Sequence, residues 1–396
     1  MKKRKSALRL LSVVMAAGLL LSGCHSAEKE KTPAIQITVP ELVPKGRSFV
    51  LPEGAAYIAM PEDPGPDDFL TFNREFEAAL AARKAVICTS GRVPLDWADL
   101  CAMDYGVFWL KSYSYSLEWA IPEGEKEEKN IYTYHLQYFD LSESDIQRMK
   151  REIDAEVARI FALFPADADK WTQARIVHDE LVKTVSYDED KESVYYFNPY
   201  GALVRHKAVC QGYASAFTFL MSRAGVYSTF TASETHGWNS MSALLSYEEY
   251  IDCTWDDPDL NDANGQPYVF HDHFFLTKEE MESLEDHDVG KGGLPSVTFY
   301  GETEHANYFY HEGYLLRSFD AGALAEIYRQ QLQAGNNLLE ARFETEEAYR
   351  RALALLDGDG RELSDIVARA GYDGAFYYFT NEQIRTLSIG LYPPNA

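Results

Sequence analysis

Apolar positions fall into helical and strand periods along most of the chain. From Asp67 to Arg83, residues Phe69, Phe72, Phe76, Ala79 and Leu80 recur at helical spacing. Tyr113–Ile121 and Ile131–Phe139 are aromatic-rich and alternate with period two, and the polar stretch Pro122–Lys129 between them predicts a β-hairpin. Ser142-Glu143-Ser144-Asp145 opens a helix to about Leu163, with Ile146, Met149, Ile153, Val157, Ile160 and Phe161 on one side. Lys170–Val185 predicts a second helix and Val209–Ala224 a third, stopped by Gly225. Tyr195–Leu203 between them is an aromatic loop. Tyr227–Ala232, Trp238–Leu245, Glu249–Thr254 and His273–Leu276 have strand character. Farther on come a helix over Phe319–Gln333, a strand over Leu338–Phe343, a helix capped by Thr345, a helix over Arg361–Ala370, and short strands at Phe376–Phe379 and Arg385–Leu391. The fold class is α+β.

These patterns divide 396 residues into an α+β lead-in block (50–165), a central block (166–290) and a small α+β appendage (300–396). Ahead of them, 24–49 is a charged, Pro-containing tether. Residues 1–23 are different in kind. Met1–Arg9 is basic, Leu10–Leu21 is apolar but too short to cross a bilayer at about 20 residues per span, and Leu21-Ser22-Gly23-Cys24 follows. This order resembles a bacterial lipoprotein signal peptide. The resemblance implies cleavage before Cys24, lipidation of Cys24, and a protein held on the outer face of the cell membrane.

Charge narrows the partners. Lys and Arg number 37 against 62 Asp and Glu, a net of −25, and five of the basic residues lie in 1–23. Such an acidic chain is repelled by phosphate backbones, so nucleic acid is not an expected partner. Anionic lipid headgroups repel it equally, which leaves the lipid on Cys24 as the means of attachment. Cysteines are sparse: Cys88, Cys101, Cys210 and Cys253 besides Cys24. If Cys210 has a chemical role, Cys88–Cys101 is the pair to test for a disulfide.

Cys210 opens the third helix, in Val209-Cys210-Gln211-Gly212-Tyr213-Ala214. A helix N-terminus favours the thiolate, because the dipole is positive there and free N–H groups point outward. A base is offered by His236 in Thr235-His236-Gly237-Trp238-Asn239. A carboxylate to orient it is offered by Asp252 in Ile251-Asp252-Cys253-Thr254-Trp255-Asp256. Adjacent strands can bring the His and the Asp side by side.

Three segments in this order resemble the transglutaminase-like superfamily, a papain-like arrangement with the order Cys, His, Asp. The matching pieces are Tyr200-Gly201, Cys210-x-Gly212-Tyr213-Ala214, His236-x-Trp238-Asn239 and Asp252-x-Thr254-Trp255-Asp256. With flanking helix and strand the likeness covers 170–280. It implies a helix-borne cysteine packed on an antiparallel sheet, a Cys210–His236–Asp252 triad, and a thioester intermediate on amide bonds of proteins or peptides, ending in hydrolysis or amine transfer. No cofactor is needed. Tyr200 is the candidate side-chain donor of an oxyanion hole. Gly237 departs from the family's usual alanine and predicts a looser backbone. The alternative is a non-catalytic surface lipoprotein that uses the same cleft to bind.

Other signals are weak. His271-Asp272-His273 offers metal-ligand types but lacks a third, distant partner in the sequence, so no metal is expected. His178 reads as a structural or surface residue. Asp256–Asp259 lacks the spacing of a calcium loop.

Overall fold

The computed structural model describes residues 37–38 and 48–392, apart from 62, 93, 192, 242–248, 288–305 and 358–359. Residues 1–23, Cys24, most of the tether and the loop Gly290–Pro295 therefore lie outside the described residues. The architecture is mixed α+β, with eleven α-helices and several sheets among the described residues.

In the first part, β1 (Ile37–Thr38), β2 (Ala56–Ala59), β3 (Val86–Ser90), β4 (Leu110–Ala120) and β5 (Lys129–Tyr138) form a sheet in the order β1-β4-β5-β3-β2. The expected hairpin is β4–β5, in a register that sets Tyr115 opposite Tyr134. Two helices belong to this part, α1 (Pro66–Ala81) and α2 (Trp97–Cys101), the first burying Phe72, Phe76, Ala79 and Leu80. Cys88 on β3 and Cys101 on α2 are buried free thiols, and no disulfide joins them.

Helix α3 (Glu143–Phe161) begins where Ser142 accepts from the Asp145 amide, and it buries the predicted stripe Ile146, Met149, Ile153, Val157 and Ile160. Helix α4 (Lys170–Thr184) follows an Asp169 cap. The aromatic loop expected at Tyr195–Leu203 instead contains a helix, α5 (Pro199–Arg205). Asn198 caps it by accepting from the Gly201 amide at 3.2 Å, and Pro199 supplies a preset φ at its first position. Short strands β6 (Ser186–Tyr187) and β7 (Lys207–Ala208) pair in parallel. They deliver the chain to α6 (Cys210–Arg223), every residue of which from Gly212 to Met221 is buried.

Beside α6 lies an antiparallel sheet in the order β11-β10-β9-β8, from β8 (Ser228–Ala232), β9 (Gly237–Met241), β10 (Glu249–Ile251) and β11 (Phe274–Leu276). Strand β10 stops three residues short of the predicted Thr254. The Asp252 carboxylate accepts from the amides of Thr254 and Trp255, which turns the chain out of the sheet.

Then come α7 (Lys278–Glu282), α8 (Tyr308–His311) and a last sheet in the order β12-β13-β15-β14, formed by β12 (Leu315–Leu316), β13 (Leu338–Phe343), β14 (Ala375–Asn381) and β15 (Thr386–Tyr392). Helices α9 (Ala321–Gln333), α10 (Glu346–Leu353) and α11 (Arg361–Ala370) accompany it. One continuous buried cluster runs from Ile58 through Phe217 to Leu391, so the three sequence blocks share a core.

Candidate active site

Cys210 is the first residue of α6, and the local sequence explains why it stands there. The Asp188 amide donates to Ala208 O at 2.9 Å and the Val209 amide to Tyr196 O at 2.9 Å, which fixes the approach to the helix. Gly212 then lets the Tyr196 backbone lie against the first turn. A Cβ at that position would sit 2.3 Å from Tyr196 O and 2.7 Å from Ala208 Cβ. The close approach at Gly212 is thus to another backbone. Val209 caps the helix without a side-chain acceptor, so the positive end of α6 is left to the half-buried thiol.

His236 precedes β9 and Asp252 follows β10. Asn239 pairs with Ile251, so one step farther sets Asp252 level with Trp238, and His236 is two residues along on the same face. The contact is direct: His236 Nε2 to Asp252 Oδ2 is 2.6 Å, with both residues buried. His236 also hydrogen-bonds the Cys210 thiol. The Gly237 amide donates to the same sulfur. Asn239 holds the sheet to the helix, its Nδ2 reaching Ala214 O at 3.0 Å, Thr218 Oγ1 at 3.0 Å and Thr229 O at 3.2 Å.

The electrostatics follow from these contacts. Burial opposes ionisation of Cys210, but the His236 charge and hydrogen bond, with the Gly237 amide, hold the thiol below its usual range. Burial likewise disfavours a charged His236, yet Asp252 and then Cys210 raise it well above the usual imidazole range. Asp252 stays ionised in spite of burial because His236, and after it His287, compensate its charge. The group is built to carry a thiolate–imidazolium pair. Trp238 stacks on the imidazole at 5.8 Å between centroids and 18°, and Trp255 leans over it at 6.0 Å, so apolar rings line the base.

Two sequence expectations need correction. Tyr200 is not brought into this group: its hydroxyl donates to Glu152 Oε2 of α3 at 2.5 Å, and its ring packs on Phe108 and Tyr195. The proton wanted for an oxyanion is committed there. Gly237 does not mark a loose backbone. It is a buried strand residue, and a Cβ on it would meet the Phe230 ring at 2.9 Å, so the phenyl fills the room a methyl would need.

His287 is the member the sequence does not reveal. Its Nε2 lies 3.0 Å from Asp252 Oδ2, and its Nδ1 lies 2.7 Å from Glu285 O. It packs edge-on to His236 at 4.9 Å and against Trp238 at 4.6 Å. A bond from Thr235 Oγ1 to Asp286 Oδ1, 3.1 Å, ties its turn to that of His236. Glu285-Asp286-His287 belongs to no recognisable motif and stands 35 residues beyond Asp252.

His178 is fully buried rather than a surface residue, and it bonds Asp256 Oδ2 at 3.1 Å. Compared with known proteins, the chain matches no family model and no curated protein.

Proposed function

We propose that this chain is a transglutaminase-like cysteine enzyme that acts on amide bonds of proteins or peptides through a thioester on Cys210. One observation carries the reading: a half-buried thiol at a helix N-terminus bonds an imidazole that itself rests 2.6 Å from a buried carboxylate. The helix-borne cysteine beside the sheet β8–β11 supports a papain-like core.

In the reaction, the Cys210 thiolate attacks the amide carbonyl, the C–S bond forms, and the π pair moves to oxygen. The Cys210 N–H, at the start of α6, serves that oxyanion, since the Gly212 and Tyr213 amides already donate to Val209 O. His236 gives its proton to the nitrogen as the C–N bond breaks, and the amine departs. Water or a second amine then attacks the thioester with His236 taking its proton, and the thiolate leaves. Asp252 keeps His236 oriented and compensates its charge in both halves. The resemblance of residues 1–24 to a lipoprotein signal supports a location outside the cytoplasm, with a tether through Cys24 and surface or wall-associated peptides as substrates. Among the described residues no helix is long and apolar enough to cross a membrane.

The test is alkylation of the purified protein with dilute iodoacetamide between about pH 4 and pH 9, mapped by mass spectrometry. Fast labelling of Cys210 well below the range of a free thiol, lost in His236→Ala, is the expected result. Labelling of Cys210 with the profile of a free thiol removes the mechanism and favours a binding lipoprotein.

A further inference from the structure

A second buried group of imidazoles and carboxylates uses none of the residues that surround Cys210. His178 and Asp179 are neighbours on α4, and His271 comes just before β11. His178 Nδ1 is 3.2 Å from Asp179 Oδ1, and His271 Nε2 is 3.1 Å from the same oxygen. The three atoms lie within 4.8 Å of one another, and the three residues are buried.

Each ring is held from behind by its own carboxylate. His178 Nε2 meets Asp256 Oδ2 at 3.1 Å, and His271 Nδ1 meets Glu340 Oε2 at 2.7 Å. Glu340 also accepts from the His271 amide at 3.0 Å, and its backbone is fixed by Gln331 through two bonds of 2.8 Å. The His271 ring lies flat on Tyr308, 3.8 Å between centroids and 6° between planes. The second oxygen of Asp179 takes Arg175 Nη1 at 3.2 Å.

This is the arrangement that metal-bound histidines show, in which the outer N–H of each ring goes to a carboxylate and thereby aims the inner nitrogen at the ion. Two of the three ligand–ligand edges fit as well. A tetrahedral ion with bonds of about 2.0 Å has ligand–ligand edges of about 3.3 Å, close to the 3.1 and 3.2 Å found here. The charge also fits. Every ring nitrogen faces an acceptor, so without an ion both rings would donate from both nitrogens. A divalent cation with two neutral imidazoles carries the same charge against Asp179, Asp256 and Glu340.

We infer that His178 Nδ1, Asp179 Oδ1 and His271 Nε2 form a zinc site, with Asp256 and Glu340 orienting the rings and water completing the tetrahedron. A mixed imidazole and carboxylate set suits zinc. The ligands come from α4 and the segment before β11, and one orienting carboxylate comes from β13, so the ion fastens the last sheet to the middle of the molecule. The distant partner that His271 lacks in the sequence is supplied by Asp179, 92 residues earlier. His273 has a different task, with its Nδ1 on Asp256 Oδ1 at 2.9 Å. His236, Asp252 and His287 form another compact set. There the 2.6 Å His236–Asp252 separation is shorter than a tetrahedral edge and suits a shared proton.

The full chain, stripped with a chelator, given zinc and passed through gel filtration, should retain one zinc per chain and unfold at a higher temperature than the stripped form. His271→Gln and Asp179→Asn should each weaken zinc at least tenfold, and Glu340→Gln about 10–100-fold, while His287→Gln and Cys210→Ala should leave it unchanged. Cobalt in place of zinc should give the visible bands of a four-coordinate nitrogen–oxygen site, absent in His271→Gln. A wild-type chain that retains no zinc overturns the inference whether or not the variants fold. Zinc binding lost in His287→Gln and kept in His271→Gln overturns it too.

Discussion

His236 and His287 rest on one oxygen: both Nε2 atoms meet Asp252 Oδ2, at 2.6 and 3.0 Å. The carboxylate that holds His236 is therefore shared, and His287 draws off part of the charge that would otherwise bear on His236 alone.

Removing that partner should be visible in the thiol. In His287→Gln, Asp252 acts more strongly on His236, the imidazolium is favoured, and the acid limb of Cys210 alkylation should move to lower pH by up to about one unit. Stability should fall by about 1–3 kcal/mol, since a buried carboxylate loses the imidazole that bonds it. An alkylation profile that stays put would reduce His287 to packing.

The triad reading makes a graded prediction. Cys210→Ala should lower turnover of a peptide amide by roughly 10⁴-fold or more with the fold intact. Asp252→Asn keeps the shape but offers His236 the wrong hydrogen-bond partner, and should cost roughly 10³–10⁴-fold. Steady-state rates with circular dichroism on the same samples check both, and turnover retained in Cys210→Ala would end the thioester mechanism.

Gly237→Ala puts a methyl 2.9 Å from the Phe230 ring, a side chain able to shift, so the expected loss is about 1–3 kcal/mol. The double variant Gly237→Ala, Phe230→Leu should recover most of it. Gly212→Ala meets the Tyr196 carbonyl at 2.3 Å, which is backbone, and should cost more than Gly237→Ala and resist rescue. Urea unfolding of the four proteins separates the cases.

Glu249, at the start of β10, gives a pH signature. Burial pushes its carboxyl from 4.5 up to about 8, with the amide of Ala306 opposing and Glu280 adding to the rise. The folded chain thus holds a proton that the unfolded chain releases. The contribution is whole below pH 4.5 and is lost as pH rises through about 8, at a limiting slope of about 1.4 kcal/mol per pH unit. Glu249→Gln should flatten that part of the stability curve, and an unchanged slope would assign it to another group.

Most of the elements are legible in the sequence because their signals are local. The stripe Ile146–Ile160 and the Ser142 cap specify α3 without reference to anything else, and the two aromatic runs around Pro122–Lys129 specify β4 and β5. Cys210, His236 and Asp252 stand out because three short motifs follow in order. Other features depend on three-dimensional neighbours. Tyr200 resembles an oxyanion donor until α3 presents Glu152 to its hydroxyl. Asn198-Pro199 does signal a helix start, but the surrounding aromatics read as loop. His287, and the meeting of His178 and Asp179 with His271, arise from chain crossings that no spacing rule contains.

The helix that carries Cys210 is enclosed from Gly212 to Met221. A nucleophile on an exposed loop can be lost by a small local opening, whereas one mounted on an interior rod is displaced only when the interior comes apart. The amides in the middle of that helix should accordingly exchange with solvent deuterium no faster than the whole molecule unfolds. Changes in what reaches the sulfur are then expected in the turn Ser233–Thr235, where Glu234 and Thr235 are exposed and the chain can vary without moving the helix.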